Sequence, residues 1–427
     1  MTQKQSTLTP KLRFPEFGND PTWTPVTLRD VSVPVEEKVG DRKLTPVSIS
    51  AGIGFVPQAE KFGRDISGNQ YKQYTVVRNG DFVYNKGNSL RFPQGCIYQL
   101  RDWGEVAAPN VFICFRLKEG YSDGFFQSCF EKNIHGIQLQ RHITSGARSN
   151  GLLNISRDTF FDIQIPTPSL AEQQKIAECL STLDELIEAE RRKLDALKDH
   201  KKGLMQQLFP REGETRPRLR FAEFRASSDW ERGVVRNIAT VLQGYGFPEK
   251  YQGNTSAEFP FYKVSDISRT LAAGRHLMDE AANYIDHETL EKLKAKPIPA
   301  GTTIFAKIGE ALRLNRRALT TRPCLIDNNT AGVKAIEEKA TDLFLYYLFS
   351  TISLEKHAGG VVPAVSKTAI EEIEILYPKR DEQARIATFL SSIDDLIAAQ
   401  SERLEALRAH KRGLMQQLFP NPSEFES

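Results

Sequence analysis

Apolar residues recur every three or four positions along two stretches of the chain. In the first stretch they are Ile176, Leu180, Leu183, Ile187, Leu194, Leu197, Leu204 and Leu208. The second shows the same spacing at Ile386, Leu390, Ile393, Ile397, Leu404, Leu407, Leu414 and Leu418. This heptad spacing predicts two long helices with a coiled-coil seam, each stopped by a proline. A core-facing helix inside a bundle is the alternative.

The two stretches are copies of one sequence. Residues 171–210 and 381–420 are identical at 23 of 40 positions at an offset of 210 residues. Residues 12–17 likewise match residues 219–224, whereas the sequences between these anchors diverge. The chain is therefore predicted to contain two variable domains, each followed by a constant helix. The predicted boundaries are 1–168 and 211–378 for the domains, 169–210 and 379–420 for the helices, and 421–427 for a tail.

Two polar residues interrupt the apolar seam of each predicted helix. Glu190 and Lys201 do so in the first helix, and Gln400 and Lys411 in the second. A buried charge is tolerated when it is paired, so an antiparallel pair with Glu190 opposite Lys411 is predicted. The same register places further pairs face to face: Lys201 with Gln400, Leu194 with Leu407, and Leu197 with Leu404. The alternative is that these positions are simply hydrated.

The variable domains are predicted to mix strands and helices. Short β-branched or aromatic runs predict strands at 74–84, 111–117, 160–165, 301–307 and 325–335, and residues 123–132 and 343–350 predict short helices. The predicted class is α+β, with two mixed α/β domains separated by two long antiparallel coiled-coil helices in a pseudo-two-fold repeat. Residues 220–230 are expected to pack on the helix before them. Residues 12–23 are expected to pack on the end of the C-terminal helix, which makes the arrangement circular.

Composition excludes several classes of protein. The 427 residues are 40% hydrophobic and 26% charged, as in ordinary globular proteins, and no apolar run is long enough to span a bilayer. The start of the chain lacks a secretory signal, and the five scattered cysteines predict reduced thiols, so a cytoplasmic protein is expected. The net charge of +3 is too small to indicate nucleic-acid binding by itself.

The sequence lacks the motifs of several chemistries. There is no glycine-rich phosphate loop ending in Gly-Lys-Ser/Thr, no deaminase-type zinc pattern, and no Asn-Pro-Pro-aromatic motif of amino-methyltransferases. We therefore expect no catalytic residues, no metal site and no cofactor in this chain.

The repeated motifs resemble those of one family. In each half, Leu-Arg-Phe-x-Glu-Phe (12–17, 219–224) precedes a tryptophan, and the variable region ends in Ile-x-Ile (163–165, 373–375). Glu-Gln (172–173, 382–383), the segments 180–187 and 390–397, and Gly-Leu-Met-Gln-Gln-Leu-Phe-Pro (203–210, 413–420) follow. This order resembles the specificity (S) subunit of type I restriction–modification enzymes over the whole chain. One departure is Leu-Tyr-Pro at 376–378, where the first copy has Pro-Thr-Pro at 166–168.

The resemblance implies a non-catalytic role in DNA recognition. The variable domains would be target-recognition domains, each reading one half of a bipartite site in double-stranded DNA. The helices would set the spacer and dock two methyltransferase (M) subunits that methylate adenine. Motor-nuclease (R) subunits would complete the restriction complex, and the methyl donor, ATP and metal chemistry would belong to these partners.

Candidate DNA contacts lie in stretches without acidic residues. These stretches are residues 82–101, 132–157 and 311–326. Arginine and asparagine suit contacts with guanine and adenine edges, whereas lysine suits phosphates. The contacts predicted within them are Asn85, Lys86, Asn88, Arg91, Arg141, Arg148, Asn150, Arg313, Asn315, Arg316 and Arg317, and Lys307, just before the third stretch, is predicted as well. The alternative for each stretch is a solvated loop.

Two other functions fit the same pattern. A structural adaptor would use the rod to present two protein-binding or glycan-binding heads. A reduced, type IIG-like system would use the chain as its recognition subunit with fewer partners. Salt-sensitive, sequence-selective DNA binding would separate a DNA-recognition subunit from the adaptor. The identity of the co-purifying chains would separate a full system from a reduced one.

Overall fold

The computed structural model describes residues 8–50, 52–87, 92–143 and 153–420. The chain divides into two compact units, one formed by Met1–Glu188 with Ala406–Ser427 and the other by Ala189–Glu405. Each unit mixes sheets with helices, which confirms the predicted α+β class. Among the described residues, no helix combines the length and apolar character that crossing a membrane requires.

The first unit contains two four-stranded sheets, β2-β9-β6-β7 and β4-β3-β8-β5, and a two-stranded sheet β1-β10. Its strands are β1 Thr24–Thr27, β2 Ser32–Pro34, β3 Thr45–Ser50, β4 Gly54–Pro57, β5 Thr75–Arg78, β6 Phe82–Asn85, β7 Cys96–Gln99, β8 Glu105–Ala108, β9 Ile113–Leu117 and β10 Gln164–Thr167. Its helices are α1 Leu28–Val31, α2 Gln58–Phe62, α3 Asp123–Glu131, α4 Ile134–Leu139 and α5 Arg157–Phe161, followed by the long α6 Leu170–Leu208.

The second unit contains a five-stranded sheet β12-β19-β16-β17-β14, a three-stranded sheet β15-β13-β18 and a two-stranded sheet β11-β20. Its strands are β11 Glu231–Val234, β12 Ala239–Gln243, β13 Phe259–Tyr262, β14 Leu277–Met278, β15 Tyr284–Ile285, β16 Thr303–Ala306, β17 Arg317–Thr320, β18 Leu325–Ile326, β19 Thr330–Ala335 and β20 Glu374–Tyr377. Its helices are α7 Val264–Ala272, α8 His287–Leu293, α9 Glu310–Arg313, α10 Asp342–Thr351 and α11 Lys367–Glu371, followed by the long α12 Arg380–Leu418.

Three of the predicted strands each cover two elements of the structure. Residues 74–84 form β5 and β6, because Asn79-Gly80-Asp81 turns the chain and Gly80 has a φ of +94°. Residues 325–335 form β18 and β19, which a polar turn at residues 327–329 separates. Residues 160–165 cover the end of α5 and the start of β10. Short polar turns inside apolar runs therefore place neighbouring strands in different sheets.

The segment before β1 packs on the end of α12, within the first unit, as predicted. We call residues 12–23 the first strap. Leu12 N donates to the carbonyl of Gln417 (2.9 Å), and the ring of Trp23 meets Phe419 edge-on at 6.1 Å. Arg13 forms a two-point ion pair with the buried Glu172 (2.8 and 2.7 Å). The N-terminal segment is thereby tied to both long helices of this unit.

The second unit repeats this arrangement with the end of α6. In the second strap (residues 219–230), Leu219 N donates to the carbonyl of Gln207 (2.9 Å), and Trp230 contacts Phe209 at 5.8 Å. Arg220 pairs with Glu382 at two points, both 2.7 Å. The repeated Leu-Arg-Phe motif and the glutamate of each Glu-Gln pair therefore bind each other.

The glutamine of each Glu-Gln pair connects the long helix to the variable domain. Gln173 accepts a hydrogen bond from Ser122 N (3.0 Å) at the start of α3 and donates to the carbonyl of Pro168 (3.0 Å). Gln383 accepts from Thr341 N (3.2 Å) at the start of α10 and donates to the Pro378 carbonyl (2.9 Å). The side chain satisfies backbone groups at the helix start that would otherwise lack partners.

The long helices meet in a register that differs from the predicted one. In the second unit, Gln400 Nε2 donates to the carbonyl (3.0 Å) and the carboxylate (2.6 Å) of Glu190. Lys201 of the same unit pairs with Asp394, not with Gln400. In the first unit, Lys411 pairs with Asp184 (2.7 Å) and Glu131 (3.0 Å).

The predicted pairings of Glu190 with Lys411 and of Lys201 with Gln400 are therefore wrong. The predicted Leu194–Leu407 and Leu197–Leu404 pairs depend on the same register, so they are not expected in the observed one. The reason is that the two polar positions lie eleven residues apart in each helix, which is three helical turns. A shift by that amount sets Glu190 against Gln400, and both lysines then pair with aspartates outside the seam, Asp394 and Asp184, which the seam spacing does not reveal.

Candidate nucleic-acid interface

The five-stranded sheet of the second unit gathers polar side chains at one end. β12 ends at Gln243, Lys307 follows β16, Asn329 precedes β19, and Arg316 precedes β17. Neighbouring strands there are antiparallel, so the end of one strand lies beside the start of the next. We call the following residues the second strand-end surface: Gln243, Lys307, Asn315, Arg316, Asn328 and Asn329.

The centre of this surface holds polar groups with incomplete hydrogen bonding. Lys307 Nζ donates to Gln243 Oε1, and burial lowers the pKa of Lys307. Within the described part of the chain, Gln243 Nε2 and Asp327 Oδ1 are buried without a hydrogen-bond partner. Burial also raises the pKa of Asp327. Buried unpaired donors and acceptors cost free energy, which a ligand supplying their partners would recover.

The arginines at the start of β17 have different surroundings. Arg316 is exposed, and its Nη1 donates to Ser268 Oγ at 2.8 Å. Arg313 is exposed too, but it is ion-paired with Glu310 (2.8 Å) and Glu355 (3.0 Å). Of these two arginines, only Arg316 has no carboxylate partner among the described residues.

Arg317, also predicted to contact DNA, is only 3% exposed. Its guanidinium lies 4.9 Å from the centre of the Phe305 ring and donates to the side chain of Asn315 (2.7 Å), whose φ is +49°. Burial lowers the pKa of Arg317 to about 9. Arg317 and Asn315 thus shape the loop before β17, and a DNA contact by Arg317 would require this part of the domain to open.

The first unit has a corresponding surface on the sheet β2-β9-β6-β7. Lys86 follows β6, and Asn110 lies three residues before β9. Both line a cleft of about 600 Å³ together with His142, Asn154 and Arg157. We call Asn85, Lys86, Asn110, His142 and Arg157 the first strand-end surface.

Lys86 and Lys307 occupy equivalent places in the two units. The carbonyl of Lys86 accepts a hydrogen bond from Leu153 N (2.9 Å), and the carbonyl of Lys307 accepts one from Val365 N (2.9 Å). In each unit the lysine follows a central strand and is held by the segment before the last short helix, α5 or α11. The same scaffold therefore presents a lysine at both surfaces.

The remaining predicted contacts of the first unit are only partly described. Asn85 is half-buried, and its side chain donates to the carbonyl of Ile49 (3.1 Å) and accepts from Gly87 N (2.8 Å). Arg141 is exposed on the 3-10 helix Gln140–His142. Four further predicted contacts lie outside the described residues: Asn88, Arg91, Arg148 and Asn150.

Sequence reasoning missed Gln243, Asn110 and the Asn328-Asn329 pair. Gln243 becomes part of the surface only through the pairing of β12 with β19. Asn328-Asn329 carried a usable signal, because two asparagines between apolar runs indicate a turn. The prediction of a single strand over residues 325–335 left this turn out. Among the described residues, no group of histidine, cysteine, aspartate and glutamate side chains is arranged to hold a metal ion.

The family model and the similar proteins of known sequence all belong to one family. The family described as type I restriction modification DNA specificity domain matches residues 69–199 and 227–409. The type I restriction enzyme MjaVIII specificity subunit of Methanocaldococcus jannaschii is 23% identical over 366 residues, covering 81% of both chains. The putative MjaX specificity subunit of the same organism is 26% identical over 296 residues, covering 68% of this chain and 64% of the relative.

Solved structures share the fold. The type I restriction–modification S subunit from M. genitalium superposes with a TM-score of 0.58 at 14% identity, covering 97% of this chain and all of that one. A chain from a study of assembly and conformational transition of the type I system gives a TM-score of 0.55 at 18% identity, covering 94% and 98%. The arrangement of strands and long helices is therefore common to these proteins at low sequence identity.

Proposed function

Because the chain belongs to the type I restriction–modification DNA specificity family, we propose that each of its two variable domains reads one half of a bipartite DNA site. Recognition of DNA sequence follows from the family. The division into two half-sites is supported by the duplicated strand-end surfaces. Both are built around an equivalent lysine, Lys86 or Lys307, but the side chains around each lysine differ.

We assign residues 1–168 and 211–378 to the two target-recognition domains, with residues 169–210 and 379–420 as the helices that set the spacer. Lys86, Lys307, Arg141 and Arg316 are the proposed cationic contacts with DNA. Arg313 contributes less, because two carboxylates already neutralise it. The polar side chains Gln243 and Asn329 are the proposed base contacts of the second domain, since both have the amide groups that pair with adenine.

The long helices are the proposed docking sites for two methyltransferase subunits. Leu186 and Leu396 occupy the same position of the repeat, and they are 39% and 57% exposed. Because this exposed leucine is repeated, two copies of one partner would contact the two units in the same way. These partners would supply adenine methylation, and motor-nuclease subunits would supply cleavage of unmodified DNA. The chain itself would act in the cytoplasm without an active site of its own.

The proposal is tested by expressing the chain with its methyltransferase partner in a host that lacks both, and by sequencing the modified bases. We expect methyladenine in two unlike short sequences separated by a fixed spacer. Methylation at one contiguous site, or at no defined sequence, would contradict the proposal. A chimera in which residues 1–168 replace residues 211–378 is the matched control, because its two half-sites should be identical.

A further inference from the structure

Two apolar side chains project into solvent at the tip of a short hairpin in the second unit. The hairpin covers residues 359–364, and Val361 is fully exposed (105%) while Val362 is 61% exposed. Leaving two valines in water forgoes the free energy that burying them would contribute. Two adjacent exposed valines on one turn are therefore a candidate contact with a ligand that has an apolar feature of its own.

The hairpin is held by backbone hydrogen bonds at its base. Gly359 N donates to the carbonyl of Ala364 (3.0 Å), and Ala364 N donates back to the carbonyl of Gly359 (3.1 Å). Gly360 makes the turn with a φ of +91°, which a residue with a side chain rarely adopts. Valine has few χ1 rotamers, so the methyl groups are presented in a nearly fixed orientation.

The hairpin belongs to the same end of the domain as the second strand-end surface. The carbonyl of Pro363 accepts a hydrogen bond from Gly309 N (2.8 Å), and Val365 N donates to the carbonyl of Lys307 (2.9 Å). Lys307 N in turn donates to the carbonyl of Asn329 (2.9 Å). Three consecutive backbone contacts thus join the valines to the polar groups proposed to contact DNA.

The chemistry of base edges identifies what the valines would meet. In the major groove the edges carry hydrogen-bond donors and acceptors, and the 5-methyl group of thymine is the apolar feature among them. We infer that Val361 and Val362 contact thymine methyl groups in the half-site that the second domain reads. The inference rests on the proposed function, since it requires that this domain binds DNA. It makes the two valines specificity-determining residues beside the polar contacts of Gln243, Asn329 and Arg316.

The test replaces each thymine of both half-sites, one at a time, with deoxyuridine, which removes only the methyl group. The full chain in complex with its methyltransferase partner is titrated with these duplexes. We expect one or two positions at which deoxyuridine weakens binding about four-fold, as for the loss of one buried methyl group. The double variant Val361→Ser/Val362→Ser should bind thymine and deoxyuridine equally well at those positions.

Matched variants separate this contact from other effects. Val361→Thr/Val362→Thr keeps the shape and one methyl group of each residue, so it should retain part of the discrimination. Leu277→Ser removes an exposed apolar side chain of β14 and should leave the discrimination intact. Equal loss of discrimination in the Leu277 variant would count against the assignment.

The remaining outcomes are distinct. If deoxyuridine has no effect at any position in the wild-type complex, the thymine contact is refuted while sequence-specific binding stands. If the serine variants lose affinity together with a bend in the DNA, and deoxyuridine still has no effect, the valines act as a wedge between bases and the inference is overturned. If the complex shows no preference for any sequence over random competitor DNA, the proposed function fails as well.

Discussion

Gln400 Nε2 lies 2.6 Å from the carboxylate of Glu190, and the two residues occupy the same position of the two repeats. A lysine–aspartate contact occurs twice, at equivalent positions of the two repeats. Lys201 pairs with Asp394 in the second unit, and the equivalent Lys411 pairs with Asp184 in the first. The polar interruptions of the apolar seam are thus satisfied within each unit, by partners that the repeat supplies twice.

The first prediction concerns Gln400→Glu. This change sets a second carboxylate against Glu190, whose cationic neighbours are Arg403 at 2.8 Å and Lys193. We expect a lower urea midpoint at pH 7.5 and partial recovery at pH 5, where one of the two carboxyl groups is protonated. Gln400→Met is the control, because it removes the hydrogen bond without adding charge and should show no such recovery. A midpoint for Gln400→Glu that does not change with pH would contradict this account.

The second prediction compares the two repeated lysine contacts. Asp394→Asn leaves the half-buried Lys201 without its carboxylate and weakens the hydrogen bond from Tyr347 (2.7 Å). Asp184→Asn leaves Lys411 with Glu131. The free energy of unfolding should therefore fall by about 2 kcal/mol more for Asp394→Asn, as expected for a charged hydrogen bond. Equal losses in denaturant titrations of the two variants would show that Glu131 does not compensate.

The third prediction concerns the ion pairs of the straps. The side chains of Arg220 and Glu382 are only 8% and 3% exposed, so Glu382→Ala leaves an uncompensated charge and should cost about 3–5 kcal/mol in the free energy of unfolding. Replacing both residues by Arg220→Met and Glu382→Leu should cost less. The exposed pair Arg191–Asp195 serves as the control. Its disruption should cost less than about 1 kcal/mol in the same urea titration.

The fourth prediction is a pH dependence of the first unit. His135 is buried, neither ring nitrogen has a hydrogen bond of standard geometry to a described residue, and burial, opposed by the Gly95 backbone, lowers its pKa to about 4 from an ordinary value of 6.5. Between these values the unfolded chain binds a proton that the folded chain does not, so stability falls as the pH drops from 6.5 towards 4. The full effect is about 3 kcal/mol.

His135→Phe should remove that part of the pH dependence, because phenylalanine is aromatic like the neighbouring Tyr84 and Phe130 and does not titrate. Amide hydrogen exchange in the first unit at pH 4.5 and pH 7 measures the difference. The same slope in the variant and in the wild type would assign the effect to other groups.

The fifth prediction concerns DNA affinity. Arg316→Ala should weaken specific binding by about 1–3 kcal/mol if Arg316 contacts a base edge. Arg313→Ala, three residues earlier at the end of α9, is the matched control, because its charge is already paired with Glu310 and Glu355. Equilibrium titration at fixed salt concentration compares the two. An unchanged affinity and sequence preference for Arg316→Ala would remove this loop from the interface.

The repeat, the two long helices and the attachment of both straps could be predicted from the amino-acid sequence. These features depend on patterns that are local or duplicated, such as the heptad spacing and the matched Leu-Arg-Phe motifs. The helix register required the tertiary structure, because Lys201 and Lys411 pair with Asp394 and Asp184, which lie outside the apolar seam. It also decided that Arg317 is buried while Gln243, Lys307 and Asn329 come together. Their proximity arises from strand pairing between residues distant in sequence, which no spacing along the chain specifies.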